Sequence, residues 1–171
     1  MKRVEMGFCL IMVIALLSAA RIQAGCIEGD CLNGEGKIEY PDGSVYQGSF
    51  QDGRAVGHGT LEAPDGSTYT GEFKNNEAHG TGVMVYPDGT RYEGEFRNNV
   101  KHGRGTLIYA NGDTYKGEFR DDEITGQGTF TAADGSFTYT GDFVDGRAHG
   151  HGEIQMKDGS RYEGEFRNDK E

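Results

Sequence analysis

A period of 23 residues is the feature of this sequence that most restricts its fold. The motif Tyr-x-Gly-x-Phe occurs six times, and successive copies begin 23, 23, 23, 24 and 23 residues apart. A fixed period of about 20 to 50 residues indicates an array of repeated structural units. The rings of the motif are Tyr46, Phe50, Tyr69, Phe73, Tyr92, Phe96, Tyr115, Phe119, Tyr139, Phe143, Tyr162 and Phe166, and its glycines are Gly48, Gly71, Gly94, Gly117, Gly141 and Gly164.

Each repeat carries the signals of a β-hairpin. An Asp-Gly or Asn-Gly step precedes every Tyr-x-Gly-x-Phe motif, and such steps are the strongest short signal for a hairpin turn. Because side chains alternate between the two faces of a strand, Tyr69, Gly71 and Phe73 share one face. Leu61 of the preceding strand has the same parity, whereas the opposite parity is polar. The sequence therefore predicts an all-β fold of antiparallel hairpins with one aromatic and one solvated face.

The fifth repeat departs from the period. It has one extra residue between Asp134 and Tyr139. We expect Ser136–Thr138 to form a longer turn or a β-bulge that increases the local twist.

The combination of motifs resembles one known repeat. Tyr-x-Gly-x-Phe, followed by Gly-x-Gly and closed by Asp-Gly, is similar to the MORN repeat, and the likeness covers residues 34–167 in six copies. The resemblance implies an elongated, single-layer, twisted array of antiparallel β-hairpins over residues 34–171.

The N-terminal segment has a different character. Lys2 and Arg3 precede a 13-residue apolar run, Phe8–Ala20, and small residues follow it. This arrangement predicts a helical signal peptide over residues 1–24 with cleavage after Ala24, and hence export to a periplasmic or extracellular location. The run is shorter than the about 20 residues that span a bilayer. An uncleaved anchor or a buried strand is the alternative.

Two cysteines remain after that cleavage. Cys26 and Cys31 form an even pair, so export favours a disulfide within an N-terminal cap of residues 25–33. Ala24-Gly25-Cys26 also resembles the end of a bacterial lipoprotein signal, although Gln23 stands where that pattern has an aliphatic residue. A lipidated Cys26 or a free pair therefore stays open at this point.

The net charge limits the partners. The whole chain carries −11, and residues 1–24 contribute three basic and one acidic side chain, which leaves −13 on the rest. A strongly acidic chain is repelled by nucleic acid and by anionic lipid. We expect no nucleic-acid partner, and no direct binding to anionic membranes unless Cys26 is lipidated.

The residues that carry chemistry do not form a recognisable reaction centre. Gly-x-Gly lacks the remaining residues of a phosphate loop, so its glycines are expected to serve packing. Histidines at equivalent positions of neighbouring hairpins lie about 9.5 Å apart, whereas tetrahedral zinc needs ligand nitrogens about 3.3 Å apart. We predict no catalytic residue, no metal site, no cofactor and no enzymatic activity. The histidines are His58, His79, His102, His149 and His151.

The function predicted from these patterns is that of a non-enzymatic interaction or scaffold module with a protein partner. The candidate surfaces are an aromatic strip, expected to be partly exposed, and a row of carboxylates that is either solvated or docks a basic partner. The strand Tyr162–Phe166 offers an edge for a homodimer. Membrane association, and binding of a carbohydrate or peptide along the aromatic strip, are the alternatives. The row is Glu72, Glu95, Glu118, Asp142 and Glu165.

Overall fold

The computed structural model describes residues 25–170, and these residues form thirteen β-strands and no helix. The all-β prediction is confirmed. The predicted signal peptide lies outside the described residues. Residues 25–100 and 101–170 form two compact units, each built from antiparallel strands that follow one another in sequence order.

The strands have these bounds. The first unit contains β1 (Gly25–Gly29), β2 (Glu35–Glu39), β3 (Val45–Gln51), β4 (Arg54–Glu62), β5 (Thr68–Lys74), β6 (Glu77–Val85) and β7 (Arg91–Arg97). The second unit contains β8 (Val100–Ile108), β9 (Thr114–Arg120), β10 (Glu123–Thr131), β11 (Phe137–Val144), β12 (Arg147–Met156) and β13 (Arg161–Arg167).

The strand register places the rings and the aliphatic side chains on one face. Leu61 lies opposite Tyr69, and Gly59 lies opposite Gly71. Residues directly opposite each other on antiparallel strands point to the same side of the sheet. Tyr69, Phe73 and Leu61 are accordingly all buried, with at most 5% of each exposed. The aromatic face is therefore the core of this sheet.

The Asp-Gly step closes a three-residue loop in most repeats. In the first repeat, the amide of Tyr40 donates to the carbonyl of Ser44 at 2.8 Å, and the amide of Gly43 donates to the carbonyl of Tyr40 at 2.9 Å. Gly43 has a φ of 86°, a left-handed value that a side chain disfavours. The Asp42 carboxylate accepts the Ser44 amide at 2.9 Å and fixes the turn. Pro41 and Asp42 form the two central residues of a type I turn, and Gly43 adopts the left-handed conformation that follows them.

The fifth repeat has the longer turn that the extra residue predicts. Its loop is closed by a hydrogen bond from the Ala132 amide to the Phe137 carbonyl at 3.1 Å, one residue farther along than in the neighbouring repeats. The additional ring of Phe137 stacks on Phe130, with centroids 5.6 Å apart. The insertion is accommodated at the turn without a change of strand order.

A second row of turns, which sequence reasoning missed, connects one hairpin to the next. Asn75 and Asn76 both have positive φ, 53° and 72°, as a type I′ turn requires. The Asn76 amide donates to the Ala55 carbonyl at 3.0 Å, and the Ala55 amide donates to Asn76 Oδ1 at 2.7 Å. Each such turn is therefore tied to the turn before it. The pairs that form this row are Asp52-Gly53, Asn75-Asn76, Asn98-Asn99, Asp121-Asp122, Asp145-Gly146 and Asn168-Asp169.

Replacing Asn76 with alanine tests this link. The variant loses the side-chain oxygen that accepts the Ala55 amide, and it leaves an alanine at positive φ, where asparagine is better tolerated. We expect the free energy of unfolding to fall by about 1 to 2 kcal/mol in urea. Asn76→Gly is the matched control, because it removes the same hydrogen bond but relieves the backbone, and it should cost less. Equal losses in both variants would show that the backbone conformation contributes nothing.

Candidate binding surface

On the aromatic face, the rings of Tyr46, Tyr69, Tyr115 and Tyr139 each lie over glycines and between two phenylalanines. The ring of Tyr69 makes edge-to-face contacts with Phe73 at 5.1 Å and with Phe96 at 4.9 Å. Its hydroxyl donates to the Glu72 carbonyl at 2.9 Å. A Cβ on Gly82 would lie 2.5 Å from that hydroxyl oxygen, so the glycine is required for the ring to lie flat on the sheet.

The expectation of a partly exposed aromatic strip is wrong for these inner repeats. No more than 1% of Tyr46, Tyr69, Tyr92 and Tyr115 is exposed. Burial, more than the neighbouring Asp142 and Asp169 charges, raises the pKa of Tyr139 to about 12. These rings have no free face for a ligand, because glycines lie beneath them and phenylalanines beside them. The alternation of side chains identified the aromatic face correctly but did not indicate how completely its tyrosines are buried.

The polar face of the second unit carries an open groove of about 620 Å³. Strand pairing places Lys116 opposite Thr106 on one side and Thr129 on the other, and places Arg104 opposite Glu118. Thr129 and Thr140 are hydrogen-bonded through their hydroxyls at 3.1 Å. The groove is lined by Arg104, Gly105, Thr106, Lys116, Gly117, Glu118, Gln127, Gly128, Thr129 and Thr140.

The predicted carboxylate row is not uniformly solvated. Glu72 accepts hydrogen bonds from the Thr81 amide at 2.9 Å and the Thr81 hydroxyl at 2.8 Å. These bonds lower the pKa of Glu72, and its carboxylate lies where a Cβ on Gly80 would stand. Asp142 accepts the His151 amide in the same way at 3.2 Å. Glu72 and Asp142 of the row thus satisfy the irregular backbone next to Gly-x-Gly, whereas Glu165 is exposed.

The histidines do not converge. His79, His102 and His149 each have a buried Nδ1 atom without a hydrogen-bond partner, and they lie on three different strands. His102 Nδ1 lies 3.5 Å from a carboxylate oxygen of Asp121, a pairing that is ionic only when the imidazole is protonated. Within residues 25–170, no three His, Cys, Asp or Glu side chains are grouped so that they could hold a metal ion.

The cysteine pair is joined at the N-terminal end of the first unit. Cys26 and Cys31 form the disulfide that their spacing and predicted export favour. A Cβ on Gly36 would lie 2.9 Å from Cys31 Sγ, in the same way that a Cβ on Gly59 would meet the Tyr46 ring. The disulfide thus packs over Gly36 in the position that a tyrosine ring occupies over the equivalent glycine of later repeats. Sequence reasoning anticipated the bond but not this packing role.

These features define a β-hairpin repeat protein with a ring-and-glycine core. The MORN repeat family model matches residues 32–45, 46–68, 69–91, 92–114, 115–137, 139–161 and 162–171, and the chain belongs to that family. The match extends the six copies counted in the sequence to seven segments. A comparison with curated proteins found no match. Among residues 25–170, no helix has the length and apolar character to cross a bilayer.

Solved structures show distant likenesses. The SAS-4 TCP domain of Drosophila melanogaster, solved with a proline-rich motif of Ana2, is 14% identical, covers 87% of this chain and 94% of its own, and has a TM-score of 0.36. The CPAP G-box domain is 14% identical over 85% of this chain and 100% of its own, with a TM-score of 0.36. A mutant TCP10 domain of Danio rerio CPAP is 13% identical over 78% and 90%, with a TM-score of 0.29. Likenesses this distant carry no conclusion about this chain.

Proposed function

We propose that this chain is a non-catalytic, exported interaction scaffold that binds an extended protein segment in the polar groove of residues 101–170. The observation that carries the proposal is the contrast between the two faces. Tyr46, Tyr69, Tyr92 and Tyr115 of the aromatic face are fully buried, whereas the polar face presents an open groove of about 620 Å³.

The chemistry of the groove favours a polar segment. Lys116 and Arg104 bring two cationic groups, and Glu118 opposite Arg104 brings a carboxylate, to one surface of a chain whose net charge is −11. Thr106, Thr129 and Thr140 add hydroxyls that both donate and accept hydrogen bonds. Donors, acceptors and charges at strand spacing suit an extended chain with alternating side chains better than a compact small molecule.

The disulfide supports the proposal of export. Disulfides form and persist in oxidising compartments. A Cys26 engaged with Cys31 has no thiol left for a lipid, so the disulfide favours cleavage after Ala24 over lipid anchoring. Intact-mass measurement of the natural protein would distinguish the two. The mass of a chain that starts at Gly25, lower than that of the reduced form by two hydrogen atoms, agrees with the proposal, and a diacylglyceryl adduct contradicts it.

Site-specific photocrosslinking tests the groove. A photoreactive amino acid at Thr129 of the full chain, expressed in its source cells, should give a discrete protein adduct. The same group at Asn111, an exposed turn residue of the same unit, should not. A Lys116→Glu substitution should reduce the Thr129 adduct severalfold, because it reverses a groove charge. Equal adducts at Thr129 and Asn111, or an adduct that Lys116→Glu leaves unchanged, would contradict a groove-bound partner.

A further inference from the structure

One ladder of paired residues crosses the polar face of the second unit from β8 to β13. Strand pairing places each member directly opposite the next, and directly opposed residues of antiparallel strands point to the same side of the sheet. We call this row the charged ladder, because it has a cation near one end and two carboxylates at the other. In spatial order its members are Thr106, Lys116, Thr129, Thr140, Glu153 and Glu163.

Lys116 supplies the positive charge of the charged ladder. It is exposed, and within residues 25–170 it forms no ion pair. Its neighbours on the ladder, Thr106 and Thr129, are uncharged. Arg104, the other cation of the groove, already lies opposite the Glu118 carboxylate. Lys116 therefore has its charge free for an anionic group of a bound segment.

The other end of the charged ladder is negative, because two carboxylates share one guanidinium. Arg161 Nε lies 2.8 Å from Glu153 Oε1, and Arg161 Nη2 lies 2.6 Å from Glu163 Oε2. His151 Nε2 lies 3.7 Å from Glu163 Oε1, a pairing that is ionic only when the imidazole is protonated. With His151 neutral, these groups keep a net negative charge. Glu153 lies opposite Thr140, which lines the groove, so this charge stands one strand beyond the groove margin.

The distance between the two charges suits an extended chain. Lys116 and Glu153 are three strand spacings apart, which is about 14 Å at about 4.8 Å per strand. An extended chain advances about 3.3 Å per residue, so four residues cover about 13 Å. Side chains at positions i, i+2 and i+4 of such a chain point the same way. An acidic residue and a basic residue four positions apart would therefore both face the charged ladder.

We propose that the segment bound in the groove crosses β9 to β12 and carries the pattern acidic-x-polar-x-basic, read in either chain direction. This inference rests on the proposed function and adds the charge pattern of the bound segment. The acidic side chain pairs with Lys116, and the basic side chain joins Glu153 and Glu163. The polar residue between them bonds to the threonine hydroxyls of the ladder. Exposed ion pairs add little affinity, so these charges select and orient the segment more than they hold it.

A second copy of this chain is a poorer occupant of the groove. Turned end for end, a second copy could place its Glu153 over Lys116, so the charges alone allow self-association. Each copy, however, would bring an open groove of about 620 Å³ to the interface. Two grooves that face each other leave their shared volume unfilled, whereas the cores of specific interfaces pack as densely as protein interiors. An extended segment fills the groove instead.

Charge variants of the Thr129 photocrosslinking experiment test the pattern in the oxidised full chain. The photoreactive group stands in the middle of the charged ladder, so the crosslinked segment is the one that crosses it. Mass spectrometry of the adduct should show an acidic and a basic residue four positions apart, with the crosslinked residue at or between them. Glu153→Lys should reduce the adduct at least about threefold, because it turns an attraction into a repulsion. Glu123→Lys is the matched control, since it makes the same change at an exposed residue of the same unit away from the ladder, and it should leave the adduct unchanged.

The outcomes separate the charge pattern from the groove itself. A Thr129 adduct that Lys116→Glu reduces but Glu153→Lys does not, or a crosslinked segment without the two charges, would overturn the pattern and leave the groove as the binding site. Equal reduction by Glu153→Lys and Glu123→Lys would also overturn it, because a general charge effect would then be responsible. An adduct with twice the mass of this chain would overturn it in favour of a second copy. Absence of any Thr129 adduct would overturn the proposed function together with this inference.

Discussion

Gly82→Val is expected to lower the free energy of unfolding by about 3 kcal/mol or more, the upper part of the range for overpacked cores. A Cβ at this position would lie 2.5 Å from the Tyr69 hydroxyl oxygen and 2.6 Å from its ring. The ring cannot retreat, because Phe73 and Phe96 pack against it at 5.1 and 4.9 Å. Urea unfolding followed by tyrosine fluorescence measures the loss.

Gly89→Asn is the matched control for this variant. Gly89 has a φ of 87° and no atom within 4 Å of a Cβ, and asparagine tolerates left-handed backbone better than other side chains. We expect a change below about 1 kcal/mol. Equal destabilisation by both substitutions would mean that backbone freedom, rather than room for the ring, explains the glycines of this repeat.

The architecture could be predicted from the sequence because its determinants are local. Alternation with period two placed Leu61 and Tyr69 on one face, and Asp-Gly steps placed the turns between paired strands. The extra residue before Tyr139 likewise predicted a longer turn or a β-bulge, and a longer turn is observed. These features depend on neighbouring residues alone, and a 23-residue period repeats each of them.

The parts of the surface that could not be predicted depend on contacts between repeats. Alternation places Tyr69 on a face, but its burial depends on Phe96 in the following repeat. Alternation also predicts that Glu72 faces water, whereas the interrupted pairing between Gly71 and Phe73 turns the backbone amide of Thr81 toward its carboxylate. For this reason, the structure favours the polar face over the aromatic strip as the candidate binding surface.

The second row of turns was present in the sequence as a recurring signal. Asn75-Asn76 stands two residues after Phe73, and Asn, Asp or Gly recurs there in every repeat. An isolated Asn-Asn step is a weak turn signal, whereas its recurrence in phase identifies a turn. The burial of Lys101 was harder to predict, because the equivalent position in the other repeats holds alanine or isoleucine. The Lys101 ammonium is stabilised by Asp122, which lies 3.5 Å away and 21 positions farther along the chain.

Tyr69→Ala should lower the free energy of unfolding by about 3 to 5 kcal/mol. It removes two edge-to-face ring contacts and a hydroxyl donor, and it leaves a cavity over Gly71 and Gly82 that glycines cannot fill. Tyr69→Phe keeps the ring and should cost only about 1 kcal/mol, because it removes the hydrogen bond alone.

Tyr162→Ala changes the same motif position where the ring is half-buried, so its cost in the same urea unfolding measurement should be well below that of Tyr69→Ala. Similar losses at both tyrosines would show that the cover from the following repeat adds little to the stability that a tyrosine ring provides.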